Sequence, residues 1–272
     1  MKQPLRLALR SVLVGAVSLS AALIVRNAYR FRVTQHRRTL HKLDKPLRIA
    51  HLSDLHTGPF MGYAAVREWV NATNAQLPDL IVITGDFVDQ WFGRDLETLG
   101  LVLSSLRAPL GVWGVWGNHD HARFANMRTL ESQLNRSGVY ILNNEGVALR
   151  DDLYLAGVDD VQRGAPDALN ALRDRPEVAA CLLLSHNPDY LPHVPREVDL
   201  TLCGHTHGGQ IHLPFIGPVF TSSEHGKRFA AGWVEEPDVA RAYVSRGLGT
   251  VILPARLGCS AELAVFDLLP AQ

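Results

Sequence analysis

The chain has 272 residues, 47% of them hydrophobic, and a formal net charge of zero. That length supports one large domain or one domain plus an appendage, and the lack of internal repeats or low-complexity tracts excludes a repeat array. Three cysteines, Cys181, Cys203 and Cys259, are odd in number and far apart, with no C-x-x-C spacing, so they exclude a disulfide framework and a cysteine zinc site and are expected as small buried core residues.

Charge is distributed unevenly. Residues 1–45 carry ten Lys/Arg and one acid, a net +9, which leaves −9 on the remainder. A basic arm on an acidic body fits a membrane surface or an anionic partner for the arm. No nucleic-acid binding is predicted.

The first predicted element is the uncharged run of fifteen residues from Ser11 to Val25. As a helix it spans roughly 22 Å, short of the ~30 Å hydrocarbon core of a bilayer. Leu7 to Leu9 extend it if Arg10 snorkels. Three readings stand: an uncleaved signal anchor, a cleaved signal peptide with Ser18 and Ser20 suited to cleavage, and a buried helix. The basic flank at Arg26 and Arg30 resists export, so residues 1–28 are expected as a membrane anchor and 29–272 as the body. Five arginines follow the run (Arg26, Arg30, Arg32, Arg37, Arg38) and three basic residues precede it, so the positive-inside rule places the body on the cytoplasmic face. Next, "YRFRVTQ" alternates. It predicts a strand with Tyr29, Phe31 and Val33 on its buried face, and a basic face turned to lipid head groups or to solvent.

From residue 47 one pattern recurs five times. "LRIAHLSDLH" is an apolar run followed by Asp54 and His56; "LIVITGDFVD" is followed by Asp86 and Asp89; "GVWGVWGNHD" by Asn118 and His119. "CLLLSHN" ends in His186, and "LTLCGHTH" in His205 and His207. Helical patterns lie between some of them, at Tyr63 to Gln76 and Arg123 to Ser137. Apolar strands alternating with helices predict an α/β fold with a largely buried sheet, and in such sheets sites form beyond the carboxyl ends of the strands. All five clusters are expected there, gathered at one sheet edge. A lone D-x-H or N-H-D is common and is as readily a helix cap or a satisfied core histidine. The joint occurrence, each cluster after a strand, is not. Gly85, Gly117, Gly204, Gly208 and Gly209 suit tight turns and close backbone approach.

Oxygen and imidazole donors without thiolate suit Mn, Fe, Zn or Mg. Seven candidate ligands exceed what one catalytic ion needs, so two divalent ions are expected.

These residues resemble the calcineurin-like metallophosphoesterases. The blocks that carry the likeness are Asp54-Leu55-His56, Gly85-Asp86-Phe87-Val88-Asp89, Gly117-Asn118-His119-Asp120, His186 and Gly204-His205-Thr206-His207. The resemblance implies a four-layer sandwich, two packed β-sheets flanked by helices. It implies that Asp54, His56, Asp86 and His207 hold one ion and that Asp86, Asn118, His186 and His205 hold the other, with Asp86 bridging. His119 is then not a ligand but acts on the phosphate, as general acid or as a hold on a phosphate oxygen, and Asp89 orients it. A hydroxide between the two ions attacks phosphorus. The protein-phosphatase branch has Arg-Gly after the second Asp of its G-D motif, whereas Gln90 and Trp91 follow Asp89 here, which argues against protein substrates. The tail from Ser245 to Leu268 and the N-terminal run resemble a bacterial membrane-associated subgroup related to UDP-2,3-diacylglucosamine hydrolases. The expected substrate is therefore a phosphoester, lipid-linked or nucleotide-diphospho in kind. The alternatives are a general esterase for soluble substrates and a non-catalytic binding scaffold. Asp120 and His121 are expected to be structural, His225 to belong to a surface loop.

Overall fold

A computed structural model describes residues 18–91 and 95–271. Fourteen strands are named along it: β1 (Phe31–Leu40), β2 (Leu47–Leu52), β3 (Leu80–Thr84), β4 (Val112–Val115), β5 (Val139–Ile141), β6 (Glu145–Arg150), β7 (Leu153–Gly157), β8 (Ala180–Leu184), β9 (Leu200–Cys203), β10 (His212–Leu213), β11 (Gly217–Pro218), β12 (Gly232–Val234), β13 (Ala242–Val244) and β14 (Ala261–Pro270). They form two six-stranded sheets, ordered β1-β14-β2-β3-β4-β5 and β12-β13-β9-β8-β7-β6, and a small ribbon of β10 and β11. Both large sheets are mixed. β2 to β5 run parallel in the first, as do β7, β8, β9 and β13 in the second, while β14 with β2, β6 with β7 and β12 with β13 are antiparallel.

The period of two along each strand decides the layering. In β3, Ile81 and Ile83 face outward onto the helices α1 (Tyr63–Asn74), α2 (Leu96–Leu103) and α4 (Arg128–Arg136), where they meet Val66, Trp69, Leu99 and Leu134. Leu80 and Val82 of the same strand face inward, packing with Leu182, Leu184, Leu200 and Leu202 of the second sheet. The outer face of that sheet is covered by α5 (Ala168–Ala171) and by Tyr190 and Leu191 of a short 3-10 turn. Helices, sheet, sheet and helices thus stack in the expected order. Strands buried on both faces read as unbroken apolar runs, which is why they stand out in the sequence.

Two local expectations are corrected. The periodicity from Arg123 to Ser137 is not one helix: α3 (Asn118–Arg123) stops, and α4 begins at Arg128. Phe124 at the break has extended backbone. On β1, the buried side is not the one carrying Tyr29 and Val33, which are exposed. Thr34 and His36 face inward instead, because Glu262 accepts the Thr34 hydroxyl at 2.7 Å and His36 packs in a ring cluster with Tyr243, Trp233 and Phe266. The three cysteines are buried and unpaired, as expected.

Most of the expected N-terminal anchor lies outside the described residues. Residues 18–28 are helical, with Leu19 and Leu23 exposed. Among the described residues no helix is long and apolar enough to cross a membrane.

Candidate metal centre

Each cluster begins where an apolar strand stops. β2, β3 and β4 lead into Asp54 and His56, Asp86 and Asp89, and Asn118 and His119; β8 and β9 lead into His186 and into His205 and His207. The first three strands are parallel in one sheet and the last two are parallel in the other. The expectation of a single sheet edge is therefore corrected: the groups meet across the seam between two sheets, whose carboxyl ends open on the same side.

The turns that deliver them are unusual. Asp54, His56, Asp86, His205 and His207 all have positive φ, between 43° and 70°. Non-glycine residues seldom occupy that region, and each such residue costs on the order of 1–3 kcal/mol that the surrounding structure must offset. The reversal turns each side chain back over the end of its own strand. Gly85, at φ 77°, has the complementary role. A Cβ there would lie 2.7 Å from both the Gly117 nitrogen and His186 Nδ1, so only glycine lets these turns meet.

The resulting geometry has two lobes. In one, His56 Nε2 lies 3.0 Å from His207 Nε2, which lies 3.5 Å from Asp54 Oδ1. In the other, Asn118 Oδ1 lies 3.1 Å from His186 Nε2 and 3.0 Å from His205 Nδ1, with the two imidazole nitrogens 3.2 Å apart. Asp86 Oδ2 stands between the lobes, 3.4 Å from His56 Nε2 and 3.4 Å from His186 Nε2. Donors bound to one ion at about 2.1 Å sit roughly 3.0–3.4 Å from one another, so this spacing is that of ligand atoms converging on a cation. Backbone amides hold the carboxylates in place: His205 N–H donates to Asp54 Oδ1 at 2.9 Å, and His119 N–H to Asp86 Oδ1 at 2.8 Å.

Protonation also fits. Burial pushes His56 down to about 3 and His205 to about 4, and holds His207 well below its ordinary value. Neutral imidazole is the form that binds metal. His186 Nδ1–H donates to the Thr84 carbonyl at 2.8 Å, which fixes the ring and aims Nε2 into the site. Burial would lower His186 as well, but the Asp86 and Asp54 carboxylates overcome it and lift it to about 10. Asp86 itself is driven upward by burial, yet His186 and His56 hold it well below the carboxylate range. Nδ1 of His56 and of His207 are buried with no hydrogen-bond partner.

His119 stands at the rim, its ring edge-on to His56 with centroids 4.6 Å apart. Asp89 does not hydrogen-bond it: Oδ2 lies 3.8 Å from His119 Nδ1 and 3.7 Å from His56 Nδ1, while Oδ1 accepts Trp91 N–H at 2.8 Å. The carboxylate stands between two imidazoles. Asp120 is buried and accepts Gly117 N–H at 3.0 Å and Val88 N–H at 3.2 Å, a brace for the turn that presents Asn118. His121 pairs with Asp159 at 2.8 Å, and His225 is exposed against Phe229. Sequence reasoning missed two supports. Arg256, fully buried, donates to the carbonyls of Arg246 (2.8 Å), Gly249 (2.7 Å) and His207 (3.4 Å). The Gln210 side chain accepts Val251 N–H at 2.7 Å and donates to the Val251 carbonyl at 3.2 Å. Neither carries a periodic or motif signal, since each acts through backbone distant in sequence.

Two packed mixed sheets that present carboxylate, amide and imidazole donors at one seam define a metal-dependent phosphoester hydrolase. Residues 47–209 match the family described as Calcineurin-like phosphoesterase, and the chain belongs to that family, whose members work with two metal ions. It is 33% identical to the uncharacterized metallophosphoesterase YkuE of Bacillus subtilis, over 81% of this chain and 78% of that protein. It is 30% identical to the phosphodiesterase YaeI of Escherichia coli, over 88% of each. Similarity to the UDP-2,3-diacylglucosamine pyrophosphatase LpxG of Chlamydia trachomatis is 28% identity, over 75% of this chain and 78% of that one.

Proposed function

We propose that the chain hydrolyses a phosphodiester or pyrophosphate bond of a lipid-linked substrate at a membrane, using two divalent ions drawn from Mn, Fe, Zn and Mg. The observation that carries the two-ion reading is Asp86 Oδ2, equidistant at 3.4 Å from imidazoles of two different sheets. Asp54, His56, Asp86 and His207 would hold one ion, and Asp86, Asn118, His186 and His205 the other. When bound, the ions supply Lewis acidity and a water of lowered pKa as nucleophile.

The chain's own groups do the rest. Asp54 and Asp86 cancel only part of the charge of two divalent cations, so the site attracts an anionic phosphoester. His119, at the rim, reaches the leaving oxygen and gives it a proton, or holds a phosphate oxygen. Asp89 limits the swing of the His119 ring. Residues 29–272 act as one catalytic domain, and residues 1–28 tether it, with the body on the cytoplasmic face. The exposed Leu19 and Leu23 support the tether, and the names of YaeI and LpxG support diester and pyrophosphate substrates.

The test combines elemental analysis with turnover of bis-p-nitrophenyl phosphate, p-nitrophenyl phosphate and a UDP-diacylglucosamine in Mn²⁺. Two ions per chain and a preference for diester and pyrophosphate are expected. A fully active enzyme with one ion per chain overturns the two-ion reading. Faster turnover of phosphoserine peptides overturns the substrate reading.

A further inference from the structure

Beside the metal centre the chain builds a second, chemically opposite space. A cavity of about 350 Å³, within the range of small-molecule sites, is walled by Ile211, Val219, Phe220, Ile252 and Leu253, and is lined also by His207 of the metal centre. Its two walls come from separate loops: the β10–β11 ribbon with the residues after it, and residues 250–255. Gln210 ties them together through its paired hydrogen bonds to Val251, and the Leu257 N–H donates to the Gln210 carbonyl at 2.9 Å. On the far side, Ser222 Oγ donates to the His205 carbonyl at 3.0 Å, so the same wall is anchored to the metal centre. The cavity is therefore braced on both walls, and it shares His207 with the metal centre.

Its rim is apolar where a soluble surface would be polar. Phe220 is 70% exposed and Ile252 77%, and Phe215, in the turn between β10 and β11, is fully so. Ile252 and Phe215 also have positive φ, 65° each. For a β-branched or bulky residue that conformation is an outlier, and here it points apolar side chains into solvent, where they gain no packing. An exposed apolar patch of this kind marks a binding surface. The helical residues 18–28 touch the chain just after the same loop, where Arg256 N–H donates to the Ile24 carbonyl at 3.2 Å.

We infer that this cavity receives the alkyl chain of the substrate, laying it along Val219, Phe220 and Ile252 while the phosphoryl group sits at the metal centre. The proposal rests on the phosphoesterase reading and deepens it: the substrate is amphiphilic, and its tail is recognised by the fold itself and not only by proximity to a bilayer. One observation decides for a chain over a second protein. His207 of the metal centre is among the residues that line the cavity, so an alkyl chain joined to the reacting phosphate can occupy it as part of the same molecule, which a separate protein has no reason to do.

The test holds the chemistry constant and varies the tail. Methyl p-nitrophenyl phosphate and dodecyl p-nitrophenyl phosphate share a leaving group and differ only in chain length. Each buried methylene is worth roughly fourfold, so four of them favour the dodecyl ester by about two-hundredfold in kcat/KM below its micelle concentration. In the double variant Phe220→Ser, Ile252→Ser of the full chain, both positions being exposed, that ratio is expected to fall at least tenfold. A wild-type ratio near one, or a ratio that the substitutions leave intact, overturns the proposal. So does a variant that changes only vesicle binding, or only the oligomeric state in size-exclusion chromatography, since the patch would then be a membrane contact or an interface between copies. Should neither ester be cleaved, the phosphoesterase reading has failed, and calorimetric binding of dodecyl phosphate against methyl phosphate still decides the cavity. Tail-dependent binding lost in the double variant supports it; equal binding of both ligands overturns it.

Discussion

The two sheets contribute unlike halves to the metal centre. The first supplies both carboxylates and the amide, Asp54, Asp86 and Asn118, with one imidazole, His56; the second supplies imidazoles alone, His186, His205 and His207. All the formal negative charge therefore lies on one side of the seam. Neither sheet completes either lobe, because Asp54 pairs with His207 and Asp86 with His186. The difference teaches that ions held here would join a charged layer to a neutral one, adding to the few hydrogen bonds that already cross the seam, His205 N–H to Asp54 and His186 Nδ1–H to the Thr84 carbonyl among them.

The largest effect expected from breaking this asymmetry is at Asp86. Asp86→Ala removes the one oxygen shared by the lobes, and elemental analysis should find both ions lost with turnover abolished. His205→Ala, on the neutral side, should lose one ion and retain the other. Equal losses would show that the sheets contribute alike. Next is His119→Ala, which should keep both ions. Turnover of an alkyl phosphodiester should fall ~10²–10⁴-fold, and turnover of a p-nitrophenyl ester by less, since that leaving group departs unprotonated. An equal fall on both would assign His119 to the phosphate oxygens.

Chelation should follow in size. If the ions clamp the sheets, their removal lowers the melting temperature, with about 2.7 kcal/mol at stake for each ion present at a hundredfold over its Kd. Calorimetry with and without chelator reads this directly, and an unchanged melt would make the ions purely catalytic. Gly85→Ala should destabilise by ~1–3 kcal/mol in urea unfolding, because alanine at φ 77° also meets the Gly117 nitrogen and His186. The smallest effect concerns the His121–Asp159 pair, which joins α3 to the loop after β7. Hydrogen bonding to Asp159 raises His121 above its ordinary value. Its contribution is then complete below about pH 6.5 and fades as pH climbs through the raised value. The stability gap between wild type and His121→Ala, under about 1 kcal/mol, should close in alkaline buffer; a gap that widens there would sink the assignment.

Much of this could be read from the sequence because the chemistry follows burial. β3 and β8 are apolar on both faces, so each appears as an unbroken run, and the polar residues that end it mark where the chain leaves the sheet. What could not be read depends on partners far along the chain. That Asp54 and His186 belong to different sheets is decided by pairing, and no local pattern encodes pairing. The inward face of β1 was misread because Thr34 and His36 are polar by type and are made tolerable inside only by Glu262 and Tyr243. The left-handed backbone of Asp54, His56 and Asp86 has little composition signal, since aspartate and histidine enter that region more readily than most residues but still in only a small share of cases. The apolar cavity escaped for a related reason: its lining comes from short loops without period.

The place of β14 in the first sheet has a consequence for how the chain is made. Residues 261–270 lie between β1 and β2, pairing with β1 along ten residues. During synthesis β1 and β2 emerge early, and although β3 soon pairs one side of β2, neither β1 nor the other side of β2 has its neighbour until more than two hundred further residues have been added. Through that interval two strand edges stay open to wrong partners, including copies on adjacent ribosomes. The exposed arginines of β1, Arg32 and Arg37, are then well placed to keep such copies apart by repulsion until β14 arrives.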